Sequence, residues 1–248
     1  MNPDEYLKLA DIENRHWFYV GKRVIVRHWI NRVRPLQSSD RLVDCGAGTG
    51  TFAAEMARFC RVEAVDDHEE SLILARQRLS PDQVKRGTCV NLPYPDASVD
   101  VLTALDVIEH VADDHKAMAE FSRVLKPNGV AVITVPALQA LWSDWDVVLH
   151  HFRRYTRRGL LDAVAAGDFE VAHIAYINVA VLPLVYAIRK WRGLQARLGL
   201  PPSNRSEDSI PPEPVNGLLR WLFVSTATQS LVRFPAGVGL LAVLRKRP

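Results

Sequence analysis

Cysteine is scarce in this chain of 248 residues, which contains only Cys45, Cys60 and Cys89. Their number is odd, they lie far apart, and they form no C-x-x-C pair. These features exclude a disulfide framework and a zinc knuckle built from cysteine pairs. We therefore expect reduced thiols and a cytoplasmic location.

A long apolar run is also absent. The longest, over residues 179–188 and their flanks, is about a dozen residues and contains Pro183, whereas a membrane-spanning helix needs about 20. The first five residues are polar and acidic, unlike those of a secretory signal. We expect neither a membrane span nor a signal peptide.

The chain has no large charge excess, because its formal net charge is only +3. Basic runs at 153–158 and 245–247 are more typical of solvated faces than of a nucleic-acid surface. The sequence has neither the H-E-x-x-H motif of zinc hydrolases nor the G-x-S-x-G motif of serine hydrolases. We therefore expect no nucleic-acid partner and no bound metal.

Apolar segments alternate with segments of helical periodicity along most of the chain. Strands are predicted at 41–44, 62–65, 84–89, 99–105, 130–135, 169–177 and 237–244, and helices at 51–60, 69–79, 113–125, 160–166 and 217–234. The first 34 residues have helical spacing, with a break expected near Gly21. This alternation predicts a doubly wound α/β domain with a mostly parallel, seven-stranded sheet, which binds ligands at the carboxyl ends of its strands.

Three regions are predicted. Residues 1–37 form an N-terminal helical lid, residues 38–178 and 236–248 form the core, and residues 179–235 form an apolar insertion before the last strand. A polar, proline-rich linker is expected within the insertion at 201–214. The apolar parts of the insertion suit a substrate roof, a homodimer interface or peripheral contact with a membrane. A roof or a dimer is favoured over the membrane.

A glycine-rich loop follows the first predicted strand and precedes a helix. It contains Asp44, Gly46, Ala47, Gly48 and Gly50. Glycines at such a turn let backbone N–H groups approach a ligand closely. The spacing is G-x-G-x-G rather than the G-x-G-x-x-G of dinucleotide enzymes, which disfavours a dehydrogenase. Asp44 would repel a pyrophosphate but suits a cationic amino group.

Asp66 lies 20 residues after Gly46, at the end of the second predicted strand. A carboxylate at this spacing commonly accepts hydrogen bonds from both hydroxyls of a ribose. Its neighbour Asp67 could share the role, and the alternative is a solvated turn that carries two acids. The glycine loop upstream favours the ribose interpretation.

Five motifs, in order, resemble those of the class I S-adenosylmethionine (SAM)-dependent methyltransferases. They lie at 42–50, 65–66, 92–100, 106–111 and 123–129. The resemblance implies a Rossmann-like fold, SAM as cofactor, and Leu105 as a further cofactor contact. Arg23 could meet the methionine carboxylate, and the alternative for it is a surface ion pair. Thr88 and Cys89 stand where many relatives have an acid for the adenine amino group. The HW-x-x-x-G-x-R pattern at 16–23 and the H-x-RRYT pattern at 151–156 resemble a bacterial subgroup of the family.

Four side chains are candidate bases for deprotonating an acceptor: His110, His151, His16 and Tyr155. Each also has a structural alternative, in capping, packing or ordering a loop. A methyltransferase that only positions an amine or enol needs no base at all.

We therefore predict methyl transfer to an O, N or C nucleophile of a small molecule, which is either natural-product-like or a lipid-linked saccharide. One alternative is a SAM-binding cyclase or lyase that transfers no methyl group. A second is a catalytically silent SAM-fold binding subunit, although such a subunit has no need of the acids and glycines described above.

Overall fold

The computed structural model describes residues 3–198 and 209–248. The helices are α1 (Pro3–Ile12), α2 (Trp17–Val33), α3 (Thr51–Met56), α4 (Glu69–Ala75), α5 (Asp114–Val124), α6 (Asp144–Val148), α7 (Arg157–Val164), α8 (Leu182–Arg197) and α9 (Val215–Thr228). The strands are β1 (Arg41–Cys45), β2 (Arg61–Asp66), β3 (Val84–Arg86), β4 (Val99–Leu105), β5 (Leu125–Pro136), β6 (Phe169–Ile177) and β7 (Gly239–Lys246).

The strands form one sheet in the order β3-β2-β1-β4-β5-β7-β6. Strands β1 to β5 pair in parallel, whereas β7 runs antiparallel to both β5 and β6. The predicted seven-stranded, mostly parallel, Rossmann-like sheet is therefore confirmed. The strand order reverses between β1 and β4, and their carboxyl ends flank the crevice in which such sheets bind ligands.

Both faces of the sheet are buried, because successive strand side chains point to opposite sides. On β1, Val43 packs in the core that contains Met118 and Phe121 of α5. Its neighbour Leu42 packs in the other core, which contains Ile25 of α2. Each fully buried side chain of this size stabilises the fold by about 1.5–3 kcal/mol. The two cores fix the strand ends that carry the polar residues.

The N-terminal helices break at residues 13–16, not near Gly21 as predicted. Gly21 lies inside α2, where a Cβ would lie 2.8 Å from Cδ1 of Phe223 on α9. The glycine therefore permits the close approach of two helices rather than interrupting one. The second helix begins after His16, whose Nδ1 accepts a hydrogen bond from the Phe18 N–H at 3.3 Å.

The predicted insertion contains α8 and α9. Helix α9 packs on α2, and the indole N–H of Trp29 donates to the Ala227 carbonyl at 2.8 Å. Much of the predicted proline-rich linker lies at 199–208, outside the described residues. Within 3–198 and 209–248, no helix is both long and apolar enough to cross a membrane.

Candidate functional site

A cavity of about 1070 Å³ opens at the carboxyl ends of the parallel strands. Its walls come from α1, α2 and α8 and from the loops that follow β1 to β5. The predicted residues that line it are Asp44, Gly46, Ala47, Gly48, Asp66, Asp67, Thr88, Cys89, Leu105, Arg23, His16, His110 and His151. Gly50 and Tyr155, which were also predicted as site residues, do not line it.

The glycine loop adopts a left-handed backbone, with φ of 67° at Gly46 and 55° at Gly48. A Cβ on Gly46 would lie 2.4 Å from Cγ2 of Val107, so the loop packs tightly against the turn after β4. A Cβ on Gly48 would have no described atom within 4 Å, so the backbone at Gly48 borders open space. Gly50 instead approaches Ala75 of α4 and does not line the cavity, so its contact with the cofactor stays a prediction.

Asp44 is the most deeply buried acid of the loop region, at 3% exposure. Its Oδ1 accepts a hydrogen bond from the Thr103 hydroxyl at 2.6 Å. Burial raises the pKa of Asp44 to about 7, although the Thr103 hydrogen bond opposes the rise. A buried carboxyl on a cavity wall with a raised pKa suits a cationic ligand group, which would stabilise its ionised form.

Asp66 is held by two backbone hydrogen bonds. Its Oδ2 accepts from the Gly48 N–H at 3.0 Å, and its Oδ1 accepts from the His68 N–H at 3.1 Å. Each oxygen keeps a second lone pair, because a carboxylate can accept about four hydrogen bonds. Asp67 is half-exposed and lies 2.6 Å from Nδ1 of His68. Of the two acids, Asp66 is the one fixed in orientation beside the glycine loop.

Thr88 and Cys89 lie in the loop after β3, because that strand ends at Arg86 rather than at 89 as predicted. The loop is closed by hydrogen bonds between the backbones of Thr88 and Asn91, at 3.3 and 3.0 Å. Burial raises the pKa of Cys89 to about 12, so its thiol stays protonated. Both residues border the cavity, with a hydroxyl and a neutral thiol rather than an acid.

Glu13, which the sequence patterns did not single out, ties the N-terminal segment to the glycine loop. Its buried carboxylate accepts hydrogen bonds from the hydroxyls of Thr49 at 2.7 Å and Thr51 at 2.8 Å. Arg78 lies 3.3 Å from the same carboxylate. No sequence signal marks Glu13, because its partners come from distant segments and only the fold brings them together.

Arg23 also stabilises the bend at residues 13–16. Its guanidinium donates to Glu55 at 2.8 Å, to the Glu13 carbonyl at 2.9 Å and to the Asn14 side chain at 3.3 Å. The side chain borders the cavity, but these partners account for three of its five N–H donors. Its contact with a methionine carboxylate remains a prediction.

His151 and His110 lie together on another part of the cavity wall, with ring centroids 4.7 Å apart. Nδ1 of His151 lies 3.0 Å from Asp146, which also accepts from Arg154 at 2.7 Å. Burial opposes ionisation of Asp146, yet the hydrogen bonds from His151 and Arg154 keep its pKa below the ordinary value. Burial, together with the charge of His151, lowers the pKa of His110 to about 4. His110 is therefore neutral near pH 7.

Asp106 and Glu109 lie beside the histidines in the turn after β4, within the motif at 106–111. Asp106 forms an ion pair with Lys22 of α2, and its Oδ1 accepts from the Thr134 hydroxyl at 2.9 Å. Glu109 is fully buried, and burial raises its pKa well above the ordinary value. The motif at 106–111 is visible in the sequence, but its pattern does not predict either acid as a site residue.

Two predicted bases differ sharply in position. His16 lines the cavity, but its Nδ1 caps α2 and burial lowers its pKa. The structure does not support the prediction for Tyr155, because it lies in the core at 3% exposure and donates to Asp114 at 2.7 Å. Burial raises its pKa further above the ordinary value. Tyr155 fastens the segment after β5 to the start of α5, away from the cavity.

The chain is similar to known methyltransferases. Residues 43–133 match the family model described as a methyltransferase domain. The chain is 34% identical over 192 residues to a Mycobacterium tuberculosis protein named "Probable S-adenosylmethionine-dependent methyltransferase", a match that covers 76% of this chain and 65% of that protein. It is 30% identical over 152 residues to the 27-O-demethylrifamycin SV methyltransferase of Amycolatopsis mediterranei, covering 56% and 54% of the two chains.

The chain spans about half to two thirds of the length of these curated relatives. Among solved structures, it resembles geranyl diphosphate methyltransferase in complex with SAM, with a TM-score of 0.59 and 18% identity. That likeness covers 90% of this chain and 84% of the other. At this identity the match establishes a shared fold.

Proposed function

Because the chain belongs to the class I SAM-dependent methyltransferase family, we propose that it transfers the methyl group of SAM to a small, partly apolar acceptor. The acceptor atom is an oxygen, nitrogen or carbon nucleophile. The observation that carries the proposal is that one cavity joins the buried acids beside the glycine loop to His110 after β4 and His151 after β5.

The cavity residues fit SAM. Asp44 would bind the cationic amino group, because a buried carboxyl gains most from a nearby positive charge. Asp66 would bind the ribose hydroxyls through its remaining lone pairs. The open backbone at Gly48 leaves room for the ligand between these two acids. Thr88 and Cys89 would border the adenine.

SAM supplies an electrophilic methyl group: the acceptor's lone pair forms the new bond to carbon while the electrons of the carbon–sulfur bond remain on sulfur. The protein then has to orient the acceptor and exclude water. His110 is neutral near pH 7 and borders the cavity, so it is the favoured base where the acceptor carries a proton.

The lining of the cavity favours an acceptor with apolar parts. Helix α8 contributes Val181 (just before its start), Leu184, Val185 and Ile188, and α2 contributes Trp17 and Phe18. The rifamycin and geranyl diphosphate enzymes, by their names, act on bulky compounds of this kind. We therefore propose that the described parts of residues 179–235 form a substrate roof and those of residues 1–37 a lid. A homodimer interface and a membrane contact remain alternatives for the exposed apolar side of α8.

Titration calorimetry with S-adenosylhomocysteine tests the cofactor site, with NAD as the control nucleotide. We expect micromolar affinity for the first and no heat from the second. Mass spectrometry of products from an acceptor screen then tests methyl transfer, because only transfer adds a methyl group to the acceptor. A product with the same molecular formula as the substrate would identify a cyclase. The absence of S-adenosylhomocysteine binding would identify a silent subunit.

A further inference from the structure

Glu109, His110 and His151 meet at one point of the cavity wall, although about forty residues separate the histidines along the chain. Each offers one ligand atom, and these atoms all lie within 4.8 Å of one another. The tight contact between Gly46 and Val107 places this turn directly beside the glycine loop. The cluster therefore lies next to the proposed SAM site.

Glu109 has an unusual environment. Its side chain is 0% exposed, and within 3–198 and 209–248 no other residue donates a hydrogen bond to either carboxylate oxygen. The two nearby cations already have acidic partners, because Lys22 pairs with Asp106 and Arg154 pairs with Asp146. A buried carboxyl without a partner is unfavourable, and a bound cation is one way to compensate for it.

We propose that Glu109, His110 and His151 bind a divalent first-row transition-metal ion. Two imidazoles and one carboxylate form a ligand set that suits such ions and leaves coordination positions open for other oxygen ligands. The absence of any H-E-x-x-H motif does not bear on this set, since its members come from two separate loops.

The spacing of the three donors fits a common ion. Two ligand atoms that each lie about 2.1 Å from one ion are at most about 4.2 Å apart, so the donors need to approach only slightly. Nδ1 of His151 faces Asp146, which leaves Nε2 for the metal and gives the carboxylate–histidine–metal arrangement common in proteins.

This inference rests on the proposed function only for the role of the ion. An ion at this place would bind an acceptor that carries two neighbouring oxygens, such as a vicinal diol or a hydroxy-carbonyl group. With the ion bound, His110 would be a ligand and the ion would take over its role as the base. The ion would lower the pKa of the bound hydroxyl, whose proton passes to water, and the oxygen lone pair would then attack the methyl carbon as the carbon–sulfur bond of SAM breaks. The proposed acceptor is therefore no longer any nucleophile but a compound whose oxygens can chelate the ion.

Titration of the metal-stripped full chain with Co²⁺, in the absence of SAM, tests the site. Visible absorption reports coordination of the ion, and the thermal unfolding midpoint reports binding independently. We expect one equivalent to bind to the wild type. Glu109→Gln and His151→Asn should each weaken Co²⁺ binding by at least about tenfold and abolish the rise in midpoint, because each removes one ligand.

His68→Gln is the matched control, because Asp66, Asp67 and His68 form the other described group with suitable donors. This variant should bind Co²⁺ like the wild type. Loss of binding in His68→Gln, wild-type binding in Glu109→Gln, or no stoichiometric binding in the wild type would each overturn the proposal.

Two further measurements cover the remaining outcomes. If the ligand variants do not fold, modification of histidines in the wild type by diethyl pyrocarbonate tests the site instead. Co²⁺ should protect His110 and His151 from modification but not His68. Equal modification of His110 and His151 with and without Co²⁺ would overturn the proposal. S-adenosylhomocysteine titration of the same protein separates the two hypotheses. Binding of S-adenosylhomocysteine without binding of Co²⁺ would overturn the metal site alone. Binding of Co²⁺ without binding of S-adenosylhomocysteine would overturn the proposed function alone.

Discussion

Replacing Asp66 with alanine should weaken both the cofactor site and the fold, and the structure sets the size of each effect. The carboxylate accepts hydrogen bonds from the N–H groups of Gly48 and His68, at 3.0 and 3.1 Å. Hydrogen bonds to a charged group contribute about 1.5–3 kcal/mol each, and water recovers part of that in the variant. We therefore expect the free energy of unfolding to fall by about 2–4 kcal/mol, measured by urea denaturation.

The binding loss should be larger than this destabilisation alone explains. Asp66→Ala removes the proposed acceptor of two ribose hydroxyls and also releases the Gly48 backbone, so affinity for S-adenosylhomocysteine should fall at least about a hundredfold. Calorimetry below the unfolding temperature of the variant measures it. Asp67→Ala is the matched control, because Asp67 is half-exposed and its carboxylate lies 2.6 Å from Nδ1 of His68.

Two results would refute this reasoning. One is affinity of Asp66→Ala within about threefold of wild type, which would place the ribose elsewhere. The other is a greater loss in Asp67→Ala than in Asp66→Ala, which would assign the ribose to the exposed acid.

Three further predictions concern two cavity residues and the buried Tyr155. Burial raises the pKa of Asp44 to about 7, and a cationic ligand binds its ionised form, so affinity for S-adenosylhomocysteine should fall about tenfold from pH 8 to pH 6. Calorimetry across this range measures the loss, and Asp44→Asn should abolish the pH dependence. His151→Ala should preserve cofactor affinity but lower kcat with the acceptor found by the product screen; unchanged turnover would remove His151 from the site. Tyr155→Phe should cost about 1–2 kcal/mol in urea unfolding, through the lost hydrogen bond to Asp114, and leave kcat unchanged. If Tyr155→Phe lowered kcat without loss of stability, Tyr155 would again be a candidate base.

The N-terminal helices show where periodicity misleads. A glycine inside a helical pattern is a natural place to expect a break, because glycine disfavours the helix interior. Here Gly21 is needed inside α2 for the close contact with Phe223, and the break occurs at residues 13–16 instead. A contact between segments about two hundred residues apart leaves no mark on local periodicity.

The polar residues show the same limit of prediction from local sequence. The sequence identified Asp44 and Asp66 because each has a fixed distance from the glycines along the chain. It did not identify Glu13, whose partners Thr49 and Thr51 lie elsewhere in sequence. It included Tyr155 as a base by residue type alone, and only burial shows that the hydroxyl faces Asp114 rather than the cavity.

The sequence by itself predicted the parallel sheet, the glycine loop and the resemblance to the methyltransferase family, because these depend on strand–helix alternation and on motifs whose members are close along the chain. Only the tertiary structure decided which side chains share the cavity. Glu109 and His110 become neighbours of His151 because the turn after β4 and the segment after β5 leave adjacent strands at the same edge of the sheet. A contact of this kind depends on strand order and burial, which no local pattern encodes.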